Sequence, residues 1–169
     1  ANEKIPTLME VLQLGKNQCR FEIELKTTSE QFVRQIVQTI TELHLGNKVE
    51  FTSAHLPILI KLKQLMPAAT IGVFFQPPPE WMQKKEWYAQ VVDYLLLTQA
   101  KVAHLPFATV DKTIIAILHK NKKMVHAADC NSPKEISHVI KLGVDQLSTN
   151  NPKLALEIIG KPIINTILL

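Results

Sequence analysis

Glycine is scarce, with five in 169 residues. None stands in a G-x-G-x-x-G or Walker-type turn, so the backbone cradle of a nucleotide phosphate is missing. The G-x-S-x-G elbow is also absent, which leaves Ser-His-Asp catalysis without a supporting motif. Cysteine is rarer still. Cys19 and Cys130 lie far apart and in no metal-type spacing, so a disulfide framework is not indicated. Reduced thiols in a reducing compartment are expected. No apolar run reaches transmembrane length and no signal peptide is visible, which points to a cytoplasmic location. No Lys/Arg run is long or aromatic-interleaved enough for a nucleic-acid surface. The densest basic patch, Lys120-Asn121-Lys122-Lys123, falls where a helix ends and cations suit the dipole.

Hydrophobic residues at 46% with charged residues at 20% describe a globular chain able to bury a sizeable core. The formal charge of +4 and pI near 9.1 mildly favour anionic partners. The length suits one domain, residues 1–169. The chain opens on Ala rather than Met, which suggests processing or excision from something longer.

Helix starts are well marked. Thr7-Leu8-Met9-Glu10 is a capping box for a short helix stopping near Gly15. Thr28 to Gln31 is another, followed by Phe32, Val33, Ile36, Val37, Ile40 and Leu43 at helical spacing, with Gly46 as the stop. Ser132-Pro133-Lys134-Glu135 combines an N-cap, Pro at N1 and a capping Glu, with Gly143 at the far end, and Asn151-Pro152 starts the last helix. Further helices are placed near 55–66, 80–99 and 109–121. Strands are placed between them, near 19–26, 48–53, 69–76, 100–105, 123–130 and 144–149.

Alternating strands and helices mean a parallel sheet covered by helices. A doubly wound sheet and a (β/α) barrel both fit, and the want of a Gly-rich turn favours the barrel. A full barrel takes about 250 residues. The expectation is therefore an incomplete TIM (β/α) barrel of about six parallel strands alternating with helices.

Sites in such barrels lie at the C-terminal ends of strands. Those ends carry Glu24 and Lys26, Ser53, Gln76, His104, Asp129 and Asn131, and Thr149 and Asn150. The segment Phe21-Glu22-Ile23-Glu24-Leu25-Lys26 stands out. In a strand it turns Glu22, Glu24 and Lys26 to one face. In a parallel sheet both faces are buried, and buried charges need a metal, a partner or a reaction. A carboxylate there suits Mg²⁺ or Ca²⁺, and a lysine beside it can neutralise phosphate charge. Glu22, lower in the row, pairs with Lys26 or Arg20 or serves as structure. A solvent-washed antiparallel strand would show the same alternation. Of the six histidines, His44 and His119 sit near helix C-termini, His138 on a helix and His55 at a helix start. His104 and His126 are on strands and are the candidate site members, with a structural role the simpler reading of each.

These segments together resemble the glycerophosphodiester phosphodiesterase family. Ile5 to Leu12 is similar to its P-T-L-x-E-x-L helix start, and Phe21 to Lys26 to its x-x-I-E-I-K third strand. Val49-Glu50-Phe51-Thr52-Ser53-Ala54 resembles the strand ending in Ser-Phe. Met124 to Asn131 resembles the strand ending in W-T-V-N, and Leu142 to Pro152 resembles G-V-D-G-I-x-T-D-x-P. Order and spacing match over nearly the whole chain. The resemblance implies a TIM barrel and metal-dependent cleavage of glycerophosphodiesters to an alcohol and glycerol phosphate, with Mg²⁺ or Ca²⁺. It makes Glu24 the metal ligand and Lys26 the phosphate-facing catalytic lysine, with Ser53 and Asn131 as substrate-binding residues. A glycerophosphodiester or other phosphate-containing small molecule is the implied partner.

Departures accompany it. The H-R-G, E-N-T and E-x-D segments of the family's first two strands are absent, and with them its catalytic histidines and most of its metal site. Ala128 stands at the Trp, Ala54 at the Phe and Asn150 at the Asp of the family patterns. The resemblance thus implies a fragment or divergent member, weakly active or inactive alone. The alternative is a non-catalytic barrel remnant that binds a phosphate ligand or a protein. Strands without their neighbours leave open barrel edges, through which self-association is expected.

Overall fold

The structure is a computed structural model, and it describes residues 4–160. The elements alternate as the sequence predicts. They are α1 (Leu8–Gly15), β1 (Phe21–Glu24), α2 (Glu30–Glu42), β2 (Val49–Ser53), α3 (Leu56–Leu65), β3 (Thr70–Phe74), α4 (Lys84–Leu97), β4 (Val102–Pro106), α5 (Lys112–Lys120), β5 (Met124–Ala128), α6 (Pro133–Leu142), β6 (Gln146–Leu147) and α7 (Pro152–Ile159). Six parallel strands alternate with helices. No helix of the described residues is long and apolar enough to cross a membrane.

The caps explain the boundaries. Thr7 and Glu10 form a reciprocal capping box on α1, with the Thr7 N–H donating to Glu10 Oε2 at 2.7 Å. Ser132 and Glu135 do the same on α6, which ends on Gly143 at φ 91°. That left-handed turn favours glycine. Asn151 caps α7 through the Leu154 N–H. Two expected caps move. Ser29, not Thr28, accepts from the Phe32 N–H at the start of α2. At its end His44, not Gly46, takes the left-handed conformation, at φ 56°. The helix near 109–121 begins at Lys112, because Asp111 caps it and residues Phe107–Thr109 form a separate 3₁₀ turn.

The chain divides into two compact units. One runs to Phe74 and includes Asp93–Lys101; the other takes in Phe75–Val92 and the chain from Val102. In the first, β1, β2 and β3 follow one another in parallel, in register Glu22↔Glu50, Glu24↔Thr52 and Thr52↔Gly72. Helix α2 buries Val33, Ile36 and Ile40, one stripe at helical spacing. It packs on α3, and α3 packs on β2 and β3. Phe51, Leu59, Leu62 and Ile71 are fully enclosed there, each contributing on the order of 2 kcal/mol of apolar burial.

In the second unit β4, β5 and β6 are parallel neighbours, in register His104↔His126 and His126↔Gln146. Helix α5 packs on β5, and α6 on α7. Ile114, Leu118, Val125, Ile136 and Val139 form the interior.

Candidate functional site

Glu24 ends β1, and the chain leaves the strand at Leu25. The Lys26 ammonium then lies 3.1 Å from Glu24 Oε2. Both side chains are open to solvent, Glu24 at 40% and Lys26 at 77%. Here the structure departs from expectation, because the charged row of β1 is exposed rather than buried. β1 stands at the end of the strand order, so its side chains have sheet neighbours on β2 alone. Glu22 is exposed as well, and its Oε1 accepts a hydrogen bond from Thr52 Oγ1 at 3.3 Å.

Register adds a residue that the sequence reading did not single out. Glu50 stands opposite Glu22 on β2 and is buried. Glu22, Glu24 and Glu50 thus share one face of β1 and β2. Their common donor type is carboxylate oxygen, which fits a hard cation such as Mg²⁺ or Ca²⁺. The signal was available. Val49-Glu50-Phe51-Thr52 alternates as Phe21 to Glu24 does, apolar to one side and polar to the other.

Ser53 is fully buried at the end of β2. Its hydroxyl donates to the Leu25 carbonyl at 2.7 Å and accepts from the His55 N–H at 3.0 Å. It therefore holds the turn carrying Lys26 against β2. Ser53 and Glu24–Lys26 share the first unit, whereas Asn131 lies in the second.

Asn131 follows β5, after Asp129 at φ 63°, a left-handed position that Asp tolerates better than most residues. Asn131 Oδ1 accepts from the Asn150 N–H at 2.7 Å, tying the β5 loop to the segment after β6. Its own N–H donates to Glu135 Oε2 at 2.9 Å. The Ser132 N–H, followed by that of Asn131, holds the Glu135 carboxyl below the usual range. Between these residues the Cys130 thiol is enclosed. Burial first, then the nearby Glu135 and Asp129 charges, push its pKa up to about 11, so the thiol is unreactive.

His104 and His126, at the third positions of β4 and β5, stack with ring centroids 4.1 Å apart and planes 26° from parallel. His126 Nδ1 lies 3.1 Å from Gln146 Oε1 on β6.

No protein-family model matches the sequence. Among curated proteins, a glycerophosphodiester phosphodiesterase of Bacillus altitudinis is 28% identical over 166 residues, covering 91% of this chain and 62% of its own. Among solved structures, an Oleispira antarctica phosphodiesterase in complex with the product sn-glycerol-3-phosphate superposes with a TM-score of 0.77. It is 18% identical and covers 93% of this chain and 62% of that one. A glycerophosphodiester phosphodiesterase of Parabacteroides distasonis gives a TM-score of 0.76 at 17% identity, covering 94% and 65% respectively. This chain spans less than two thirds of the length of each of these relatives. Structural likeness at such low identity shows the fold, and the fold is that of an incomplete (β/α) barrel.

Proposed function

We propose that this chain supplies part of the metal- and phosphate-binding machinery of a glycerophosphodiester phosphodiesterase. The observation that carries the reading is the pairing of Glu24 and Lys26 at the C-terminal end of β1, 3.1 Å apart and open to solvent. The likeness to phosphodiesterases over more than nine tenths of the chain supports it. Glu24 would hold a Mg²⁺ or Ca²⁺ ion, which when bound supplies charge neutralisation at a phosphate oxygen. Lys26 carries its ammonium on a flexible stem and turns it toward the phosphodiester, where its charge favours the more anionic transition state. Ser53 acts as a positioning residue, since its hydroxyl fixes the Leu25 carbonyl next to Lys26. Asn131 does the same for the loops after β5 and β6. The substrate class is a glycerophosphodiester, and the product class an alcohol and glycerol phosphate.

The sequence lacks the H-R-G segment that carries the family's catalytic histidines, and proton transfer by such groups is worth about 10²–10⁴-fold in rate. Turnover by this chain alone is therefore expected to be weak, with ligand binding the more sensitive readout. The test is hydrolysis of a glycerophosphodiester panel and binding of glycerol 3-phosphate, each in Mg²⁺, Ca²⁺ or EDTA, beside Glu24→Ala and Lys26→Met. Metal-dependent turnover or binding that both substitutions abolish supports the reading. Absence of both in every metal overturns it. The substitutions should leave the fold intact, because an exposed ion pair contributes little stability.

A further inference from the structure

The second unit contains a polar row of its own. His104, His126 and Gln146 stand in register across β4, β5 and β6, one on each strand. Residues paired in this way share a face of a parallel sheet. His104 is fully buried, and His126 is 5% exposed. Gln146 is half-buried and forms the more open end of the row. Two buried imidazoles stacked at 4.1 Å are a costly way to fill a core, since apolar side chains would pack there without polar atoms to satisfy.

We infer that His104 and His126 form a two-imidazole binding site for a borderline divalent transition metal, Zn²⁺ being the reference ion, with Gln146 as its positioning residue. Three observations carry this. The rings are on adjacent strands at one level. One ring nitrogen of each lies within 4.8 Å of the other. Two imidazoles on one tetrahedral zinc put their ligating nitrogens roughly 3.3 Å apart, which requires the stacked rings to turn their edges toward one ion. The third observation is the contact of His126 Nδ1 with Gln146 Oε1 at 3.1 Å. An amide oxygen can only accept, so this contact places a proton on Nδ1, which in the neutral ring leaves the lone pair on Nε2. Metal-binding histidines are oriented in this way by an oxygen acceptor behind the ring.

Nitrogen donors select the ion. Imidazole suits Zn²⁺, Ni²⁺ and Cu²⁺, whereas Mg²⁺ and Ca²⁺ take oxygen.

The test is a titration of the EDTA-treated chain with Zn²⁺, and with Co²⁺ as the visible-absorbing substitute. Expected are d–d absorption of a nitrogen-ligated Co²⁺ ion and a rise in melting temperature with Zn²⁺ that His126→Phe removes. His104→Phe and His126→Phe, which keep an aromatic ring in each place, should each abolish the Co²⁺ bands. Gln146→Leu should weaken affinity about 10- to 100-fold. Side-chain nitrogen NMR of the unaltered chain answers the same question without relying on a variant that folds. Zn²⁺ should shift the ring-nitrogen signals of His104 and His126 ahead of those of His44, His55, His119 and His138. Co²⁺ bands that survive in a folded His126→Phe chain, or Zn²⁺ shifts confined to those other four histidines, would overturn the inference.

Discussion

The Ser53 hydroxyl donates to the Leu25 carbonyl at 2.7 Å, joining the end of β2 to the residue between Glu24 and Lys26. Both residues are buried, so water cannot replace the bond. The same oxygen accepts from the His55 N–H. Ser53→Ala therefore leaves two backbone groups short of a partner, at a cost of about 1–3 kcal/mol each when buried. Loss of roughly 2 kcal/mol in a urea titration is expected. Ser53→Thr keeps the hydroxyl and should recover part of it. A neutral Ser53→Ala would mean that the hydroxyl serves a ligand and not the turn.

That bond shows what was and was not legible in the sequence. Helices and strands were, because capping residues and apolar spacing act locally, as at Thr7–Glu10 and Ser132–Glu135. Smaller shifts were not. Thr28 and Ser29 are both competent caps, and only the geometry of the entering chain chose Ser29. Period-two alternation correctly set Glu22 and Glu24 on one side of β1, but it says nothing about what covers that side, and the structure leaves it exposed. Ser53 and Asn131 were legible as polar groups at strand ends. Their bonds to backbone, from the Ser53 hydroxyl to Leu25 and from the Asn150 N–H to Asn131 Oδ1, depend on neighbouring loops that no local pattern encodes. Glu50 went unnoticed although Val49 to Thr52 alternates as Phe21 to Glu24 does, because only the register of β1 and β2 sets it opposite Glu22. His104 and His126 are 22 residues apart, and only the parallel register of β4 and β5 stacks them.

The two cysteines should differ sharply toward thiol reagents. Cys19 is exposed and Cys130 enclosed, and burial pushes the Cys130 pKa up to about 11. At pH 8 almost none of Cys130 is thiolate, the reactive form. One thiol should be modified rapidly in the native chain and the second only as the chain unfolds. Cys19→Ser should remove the fast phase entirely. Two fast thiols in the native chain would show that the loop from Asp129 to Ser132 opens readily.

Asp111 makes stability depend on pH in the acid range. Its carboxylate caps α5 through the Ile114 N–H at 3.0 Å, and accepts from Lys84 Nζ and the Tyr88 hydroxyl, each at 2.6 Å. Burial pushes its pKa up, but the bonds from Lys84, Tyr88 and Ile114 together outweigh it and hold the group down at about 2, against 3.8 ordinarily. A carboxyl whose pKa is lower folded than unfolded favours the folded state once ionised. That contribution is complete above about pH 4 and is lost as pH falls from there toward 2. The side chain is 34% exposed, so after solvent screening its worth is about 1 kcal/mol. Asp111→Asn keeps a capping oxygen but not the charge. The stability gap between the two chains, read from urea midpoints, should stay constant from pH 7 to 5 and shrink below pH 4. A gap that remained flat down to pH 2.5 would mean that the Lys84 and Tyr88 contacts do not depress this carboxyl in solution.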